Sequence, residues 1–221
     1  MTEPTIEDFI ARLSDPEPAV RRNAAWTLGR QRDIRIIQPL IGALHDADSG
    51  VRVRAAEALG GIRDTAITPA LILALADDDP SVRSRATASL GQQGDYRALE
   101  AVIELLRDGD PAVRAAAAEA LGKLPDNRAV GPLVSVMMGD ADDNVRYYAG
   151  KSLGEIGGAT TVDALLTVLM GEPDKADTMR IIEILAGLGD ARAVAPLESL
   201  TQSDDEGVRA TAEWALQQLR H

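Results

Sequence analysis

The sequence predicts an all-α fold, an α-solenoid of about seven helical hairpins and about fourteen helices. Three observations predict it. A short segment begins again seven times along the 221 residues, at a spacing of 31 or 32, and self-similarity of that period marks units that each stack on their neighbours. Each copy holds apolar residues at helical spacing. Each also carries an acid where a helix would start, often with Pro directly after it. The units run over about 1–32, 33–63, 64–94, 95–125, 126–158, 159–189 and 190–221, so a single array over 1–221 without a linker is expected.

The fourth copy spells out one unit. Asp95 is placed to cap a helix from Tyr96 to about Arg107, with Leu99, Val102, Ile103 and Leu106 on one face. The chain then turns through Asp108-Gly109-Asp110-Pro111. Asp110 takes the N-cap and Pro111 the first helical position, whose N–H has no helical partner anyway. A second helix follows, with Val113, Ala117, Leu121 and Leu124 along one side.

The same order of residues sets the other units. Their second helices begin after Glu17, Asp48, Asp79, Asp110, Asp142, Asp174 and Asp205, acids at the positive helix end where four N–H groups lack partners. Three residues on stand Val20-Arg21, Val51-Arg52, Val82-Arg83, Val113-Arg114, Val145-Arg146 and Val208-Arg209, with Asp177-Thr178 in the sixth copy. Leu-Gly follows. Its glycines, Gly29, Gly60, Gly91, Gly122 and Gly154, fall inside the helix, where Gly costs about 1 kcal/mol. Close approach of a neighbouring helix is the expected compensation. Gly94, Gly157 and Gly189 fall where the second helix stops and suit a left-handed conformation.

A second acid column stands two residues before the caps: Asp15, Asp46, Asp77, Asp108, Asp140 and Glu172. It is placed to pair with Arg21, Arg52, Arg83, Arg114, Arg146 and Arg209, because an Arg fork at a half-buried junction binds a carboxylate and turn carbonyls together. These charges read as inter-repeat structure rather than as a ligand site. The sixth copy departs from the rule. Ile181, Ile182 and Ile184 replace small residues there, and Gly157-Gly158 lacks a capping Asp. Either a bend near Gly171-Glu172-Pro173 or a local repacking is expected.

Composition narrows the function classes. Ala and Leu dominate and aromatics make up 3%, which suits close helix-on-helix packing. There is no Cys, which removes disulfides, iron–sulfur clusters and thiol catalysis. A net charge of −12 argues against a duplex nucleic-acid binder, whose affinity rests on Lys and Arg at phosphates. No apolar run approaches the roughly 20 residues of a membrane span, and a cytoplasmic protein is expected.

The pattern resembles HEAT repeats, and among them the short phycobilisome-lyase HEAT-like type. Two strings carry the resemblance. D-x-D-P-x-V-R-x-x-A-A-x-A-L-G is near complete from Asp108 to Gly122, and G-D-x-R-A-x-x-x-L from Gly189 to Leu197. Pro39, Pro132 and Pro196 sit early in the first helix, as HEAT units often have it. The resemblance covers essentially the whole chain and implies the α-solenoid, but no single function. HEAT-fold deoxyhypusine hydroxylases hold paired iron through His-Glu dipeptides; here His45 is followed by Asp46, and the only other histidine is the terminal His221. No zinc site and no Ser-His-Asp set can be assembled from these two, so no catalytic residue, metal or cofactor is expected.

In HEAT-type stacks the second helices line the concave face. With the reference Val and the residues four and eight beyond it buried, positions two, three, six and ten beyond it point outward. Arg22, Trp26, Arg54, Arg85, Tyr147, Tyr148, Lys151 and Trp214 occupy such positions. Exposed aromatics and Arg are the residue types that become interface hot spots. Trp26 and Trp214, in the first and last units, suit an interface and a cover for the stack ends equally. The helix over Val208–Leu219 suits a cap or a docking edge. The expected function is a non-catalytic scaffold or adaptor that binds a protein partner on that face, with no nucleic acid and no membrane. The repeat type implies an alternative, a subunit of a phycobilin-lyase-like complex that binds or transfers a tetrapyrrole.

Overall fold

The computed structural model describes residues 4–31 and 33–219. Among them are fourteen α-helices, five 3-10 turns and no strand, so the all-α class expected from the repeat is the one observed. His221 lies outside the described residues. The chain groups into two compact units, Met1–Ala120 and Leu121–His221, and the division falls inside a helix. Each unit is described by itself.

The first unit pairs α1 (Ile6–Arg12) with α2 (Pro18–Leu28), α3 (Ile37–Ala43) with α4 (Ser49–Gly60) and α5 (Ile67–Ala74) with α6 (Pro80–Gln93). Then come α7 (Leu99–Glu104) and most of α8 (Pro111–Gly122). Within this unit α4 lies between α2 and α6. The second unit holds α9 (Val130–Gly139), α10 (Asp143–Ile156), α11 (Gly158–Met170), α12 (Lys175–Leu188), α13 (Val194–Leu200) and α14 (Glu206–Leu219), with α12 between α10 and α14.

The core follows the period. The reference valines Val51, Val82, Val113 and Val145 are wholly buried, as are Leu59 and Leu90 eight residues beyond two of them. First helices contribute Leu40, Leu71, Leu99 and Leu133. Each such side chain removed from water contributes about 1.5–3 kcal/mol. Val20 is only half-buried. Ile103, expected on the buried face of the fourth unit's first helix, is half-buried too.

That helix shows how local chemistry shapes the ends. The span Tyr96 to Arg107 begins as a 3-10 turn (Tyr96–Ala98), is α over α7 and closes as a second 3-10 turn (Leu105–Arg107). Asp95 accepts from the Arg97 N–H at 3.0 Å, only two residues on, which winds the first turn tightly. Pro39, Pro132 and Pro196 are each the third residue of α3, α9 and α13, inside the first turn where no N–H bond is lost.

Capping acids do what their length allows. Asp48 accepts from Val51 N–H at 3.0 Å, Asp79 from Ser81 at 2.8 Å, Asp110 from Ala112 at 2.8 Å and Asp142 from Asn144 at 2.9 Å. Asp174 and Asp205 do the same for α12 and α14. Glu17 stands at the N-cap of α2 but its side chain makes no cap bond, since its extra methylene carries the carboxylate past the N–H groups. At the other ends, Gly94 and Gly189 are left-handed, with φ of 66° and 69°. Gly157 departs from expectation. Its φ is 61° but its ψ is −157°, because it closes α10 and opens α11 in one residue.

Close approach accounts for four of the five Leu-Gly glycines. A Cβ on Gly29 would lie 2.6 Å from Ala58 Cβ, one on Gly60 2.7 Å from Ser89 Oγ, and one on Gly91 2.8 Å from Ala120 Cβ. One on Gly122 would strike Ser152 and Glu155. Gly29 itself lies just past α2, as its C-cap, rather than within it. Gly154 has nothing within 4 Å. The residue that should face it is Ile184, where the other units place Ala58, Ser89, Ala120 and Ser152. A branched side chain there holds α12 off α10. Ile181 and Ile182 are fully buried, so the sixth unit repacks around larger residues. Glu172, in the segment singled out for a bend, is the one non-glycine residue with positive φ (52°) among the described residues.

Candidate interaction surface on the second helices

The charged column is used up at the joints between hairpins. In the first unit, Arg21 donates from Nε and Nη2 to both Asp46 carboxylate oxygens at 2.7 Å, and from Nη1 to the Asp15 carbonyl at 2.8 Å. Arg52 does the same to Asp77 at 2.7 Å and to the Asp46 carbonyl at 2.9 Å. Arg83 repeats it with Asp108 and the Asp77 carbonyl, all at 2.8 Å. Each fork thus ties the turn of its own hairpin to the acid of the next, 25 residues on. The carboxylates also accept an N–H two residues later: Asp46 from Asp48, Asp77 from Asp79, Asp108 from Asp110. Asp15 likewise accepts the Glu17 N–H at 2.9 Å.

These contacts hold the acids ionised. The Arg21 and Arg83 guanidiniums keep Asp46 and Asp108 below the usual carboxylate range. At Asp77 burial pushes upward, and the Arg52 fork with the Asp79 N–H outweighs it. Arg114 donates to the Asp108 carbonyl at 2.9 Å, and Arg146 to the Asp140 carbonyl at 2.6 Å and to the Asp143 carboxylate. Asp140 accepts the Asp142 N–H at 2.9 Å. The column breaks at the sixth unit, where Thr178 donates to the Pro173 carbonyl. Arg209 resumes it on the Ser203 carbonyl at 2.6 Å.

Sequence reasoning missed a second set of Arg–Asp pairs. Asp33, Asp95, Asp126 and Asp190 each cap a 3-10 turn and also receive the side chain of Arg35, Arg97, Arg128 or Arg192 two residues on. The hydrogen bond from each Arg side chain, with its backbone N–H, lowers Asp33, Asp126 and Asp190 to about 2. The signal was the D-x-R string, which all four pairs share and which reads G-D-x-R at Asp95 and Asp190. It also missed Ser89 and Gln93, buried polar residues that bind the Ala56 and Leu59 carbonyls of α4, each at 2.8 Å. Gln93 stands where other units hold Ile62, Leu124 or Ile156.

With those charges spent, the outward positions of the second helices remain. In the first unit Arg22, Trp26, Arg54 and Arg85 line one groove of about 640 Å³ across α2, α4 and α6. Arg30 stacks over the Trp26 ring at 5.0 Å. Arg54 pairs with Glu57 at 2.7 Å, and Arg22 reaches Asp48 at 3.7 Å. In the second unit Tyr147 and Lys151 line a groove of about 560 Å³ between α10 and α12, floored by Gly150, Gly154 and Gly187. Tyr148 stands outside that lining and meets Tyr147 edge to face at 5.4 Å. Trp214 borders a further hollow of about 450 Å³ with Glu183 and Thr211. Trp26 and Trp214 keep 46% and 45% of their surface exposed, so neither is sealed against its own stack. His45 is exposed beyond α3, and among the described residues no three of His, Cys, Asp and Glu cluster as metal ligands. No helix among them is long and apolar enough to cross a membrane.

Stacked two-helix units with capped turns, an Arg–Asp ladder and an exposed face of second helices define an α-solenoid repeat protein. The chain belongs to the HEAT-repeat family: the model for HEAT repeats matches residues 6–72, 68–137 and 130–217. No curated protein matches it closely enough to count as a relative. Among solved structures it is similar to the complex of CpcE and CpcF of phycocyanin lyase from Nostoc sp. PCC7120, at 24% identity and a TM-score of 0.64 over 99% of this chain and 96% of that one. Kap95p bound to RanGDP is similar at 14% identity and a TM-score of 0.73, over 97% of this chain and 34% of that one. Human deoxyhypusine hydroxylase follows at 21% and 0.50, over 98% and 96%. At these identities the likeness is one of fold.

Proposed function

We propose that this HEAT-repeat chain is a non-catalytic scaffold that grips a partner protein along the exposed face of its second helices. One observation carries the reading. The ladder and cap charges are consumed between hairpins, while Arg22, Trp26, Arg54 and Arg85 converge on one open groove, and Tyr147 and Lys151 on another. Arg and aromatic side chains at exposed, grooved positions are what interface hot spots are made of. The tetrapyrrole alternative rests on repeat type and on a likeness of fold to the CpcE–CpcF complex of phycocyanin lyase, and is not adopted. Affinity capture from the native organism with Arg54→Ala, Arg85→Ala, Tyr147→Ala and Tyr148→Ala combined tests the scaffold. Loss of captured protein by a variant with unchanged circular dichroism supports it; undiminished capture removes this face from consideration.

A further inference from the structure

The groove across α2, α4 and α6 runs against the charge of the molecule. The chain carries a net −12, yet the lining of this groove holds Arg22, Arg54 and Arg85 against two carboxylates, Glu57 and Asp79. Asp48 and Asp79 cap helices through the Val51 and Ser81 N–H groups, Arg22 reaches Asp48 at 3.7 Å and Arg54 pairs with Glu57 at 2.7 Å. Arg85, exposed in the lining, has no hydrogen bond or ion pair among the described residues. A cationic row on an anionic protein concentrates acidic partners at that row and repels them elsewhere.

We propose that this groove takes an extended acidic segment of the partner, in polyproline II conformation, with a carboxylate at every third residue. The inference rests on the scaffold reading and specifies the chemistry of its partner. Spacing selects the conformation. Arg54 and Arg85 stand three residues beyond their reference valines and Arg22 two beyond, one Arg per hairpin. Packed helices lie about 8–10 Å apart. A polyproline II chain advances about 9 Å per three-residue turn and returns every third side chain to the same face. A β-strand would put residues i and i+3 on opposite faces. Trp26 closes one end of the row, its ring backed by Arg30 at 5.0 Å, and offers the flat apolar seat on which a proline ring packs.

Fluorescence anisotropy with the full chain tests this. The probe is a fluorescein-labelled peptide with glutamate at every third position, prolines between and one terminal Trp. Its controls are the same composition with the glutamates clustered at one end, a lysine version, and an oligothymidine. We expect the spaced peptide to bind about tenfold more tightly than the clustered one. Arg85→Ala should weaken it about threefold, and Arg54→Ala with Arg85→Ala about tenfold, with affinity falling as salt rises. Equal binding of spaced and clustered peptides overturns the proposal, as does indifference to both variants, or tighter binding of the oligothymidine. No peptide binding also overturns it. The scaffold reading then stands or falls separately, on whether native-partner capture depends on the second-helix face.

Discussion

Replacing Gly91 by Ala tests the packing of the repeat most directly. A Cβ there would lie 2.8 Å from Ala120 Cβ and 2.9 Å from Ala120 Cα, where ordinary contact is 3.4–4 Å. Neither a methyl group nor backbone can rotate aside, so α6 and α8 must part. Overpacking of this kind costs about 1–3 kcal/mol, and the better helix propensity of Ala returns about 1 kcal/mol. Gly91→Ala should therefore lose about 1 kcal/mol net. Gly154 occupies the matching place in α10 with nothing within 4 Å, so Gly154→Ala should gain about 0.5–1 kcal/mol. The two variants, identical in chemistry and motif, are expected to move the urea midpoint in opposite directions when unfolding is followed by circular dichroism. If Gly91→Ala stabilises as Gly154→Ala does, close helix approach is not what holds Gly in the Leu-Gly pair, and the packing account fails.

Arg52→Ala leaves the Asp77 carboxylate, 11% exposed at its side chain, without its fork, and should cost about 2–3 kcal/mol. A double-mutant cycle with Asp77→Asn should return a coupling above about 1 kcal/mol, and Arg52→Lys should recover less than half, lacking the planar fork. Glu17→Asp should gain about 0.5–1 kcal/mol by bringing an oxygen within reach of the α2 N–H groups, whereas Asp142→Ala should lose about 1 kcal/mol; unchanged midpoints contradict the cap geometry. Asp33, Asp126 and Asp190 titrate at about 2 in the fold against an ordinary 3.8. Their stabilisation is therefore complete above about pH 4 and lost as pH falls through about 2. Urea midpoints should drop over that window, and the triple Asp→Asn variant should flatten the slope.

The period, the caps and the helix stops were legible in the sequence, because each depends on residues within one turn of one another. Asp95 winds Tyr96–Ala98, and Asp142 holds the N–H groups of Asn144 and Val145; such contacts need no knowledge of the rest of the chain. The columns of outward residues followed equally well, since helical phase alone assigns Arg22, Arg54 and Arg85 to the exposed side. Three things required stacking. Arg21 is six residues from Asp15, yet its fork takes the carboxylate of Asp46, and only the next hairpin's arrival brings that acid within 2.7 Å. Gln93 looks like an exposed polar residue until α4 presents its last carbonyls to it. Gly91 and Gly154 share one motif and meet opposite surroundings, because Ala120 lets its helix close in and Ile184 holds α12 away. Hydrogen-bond reach and helical phase are local properties of a chain. The distance between two neighbouring helices is set by the bulkiest side chain caught between them, and that is decided only once they meet.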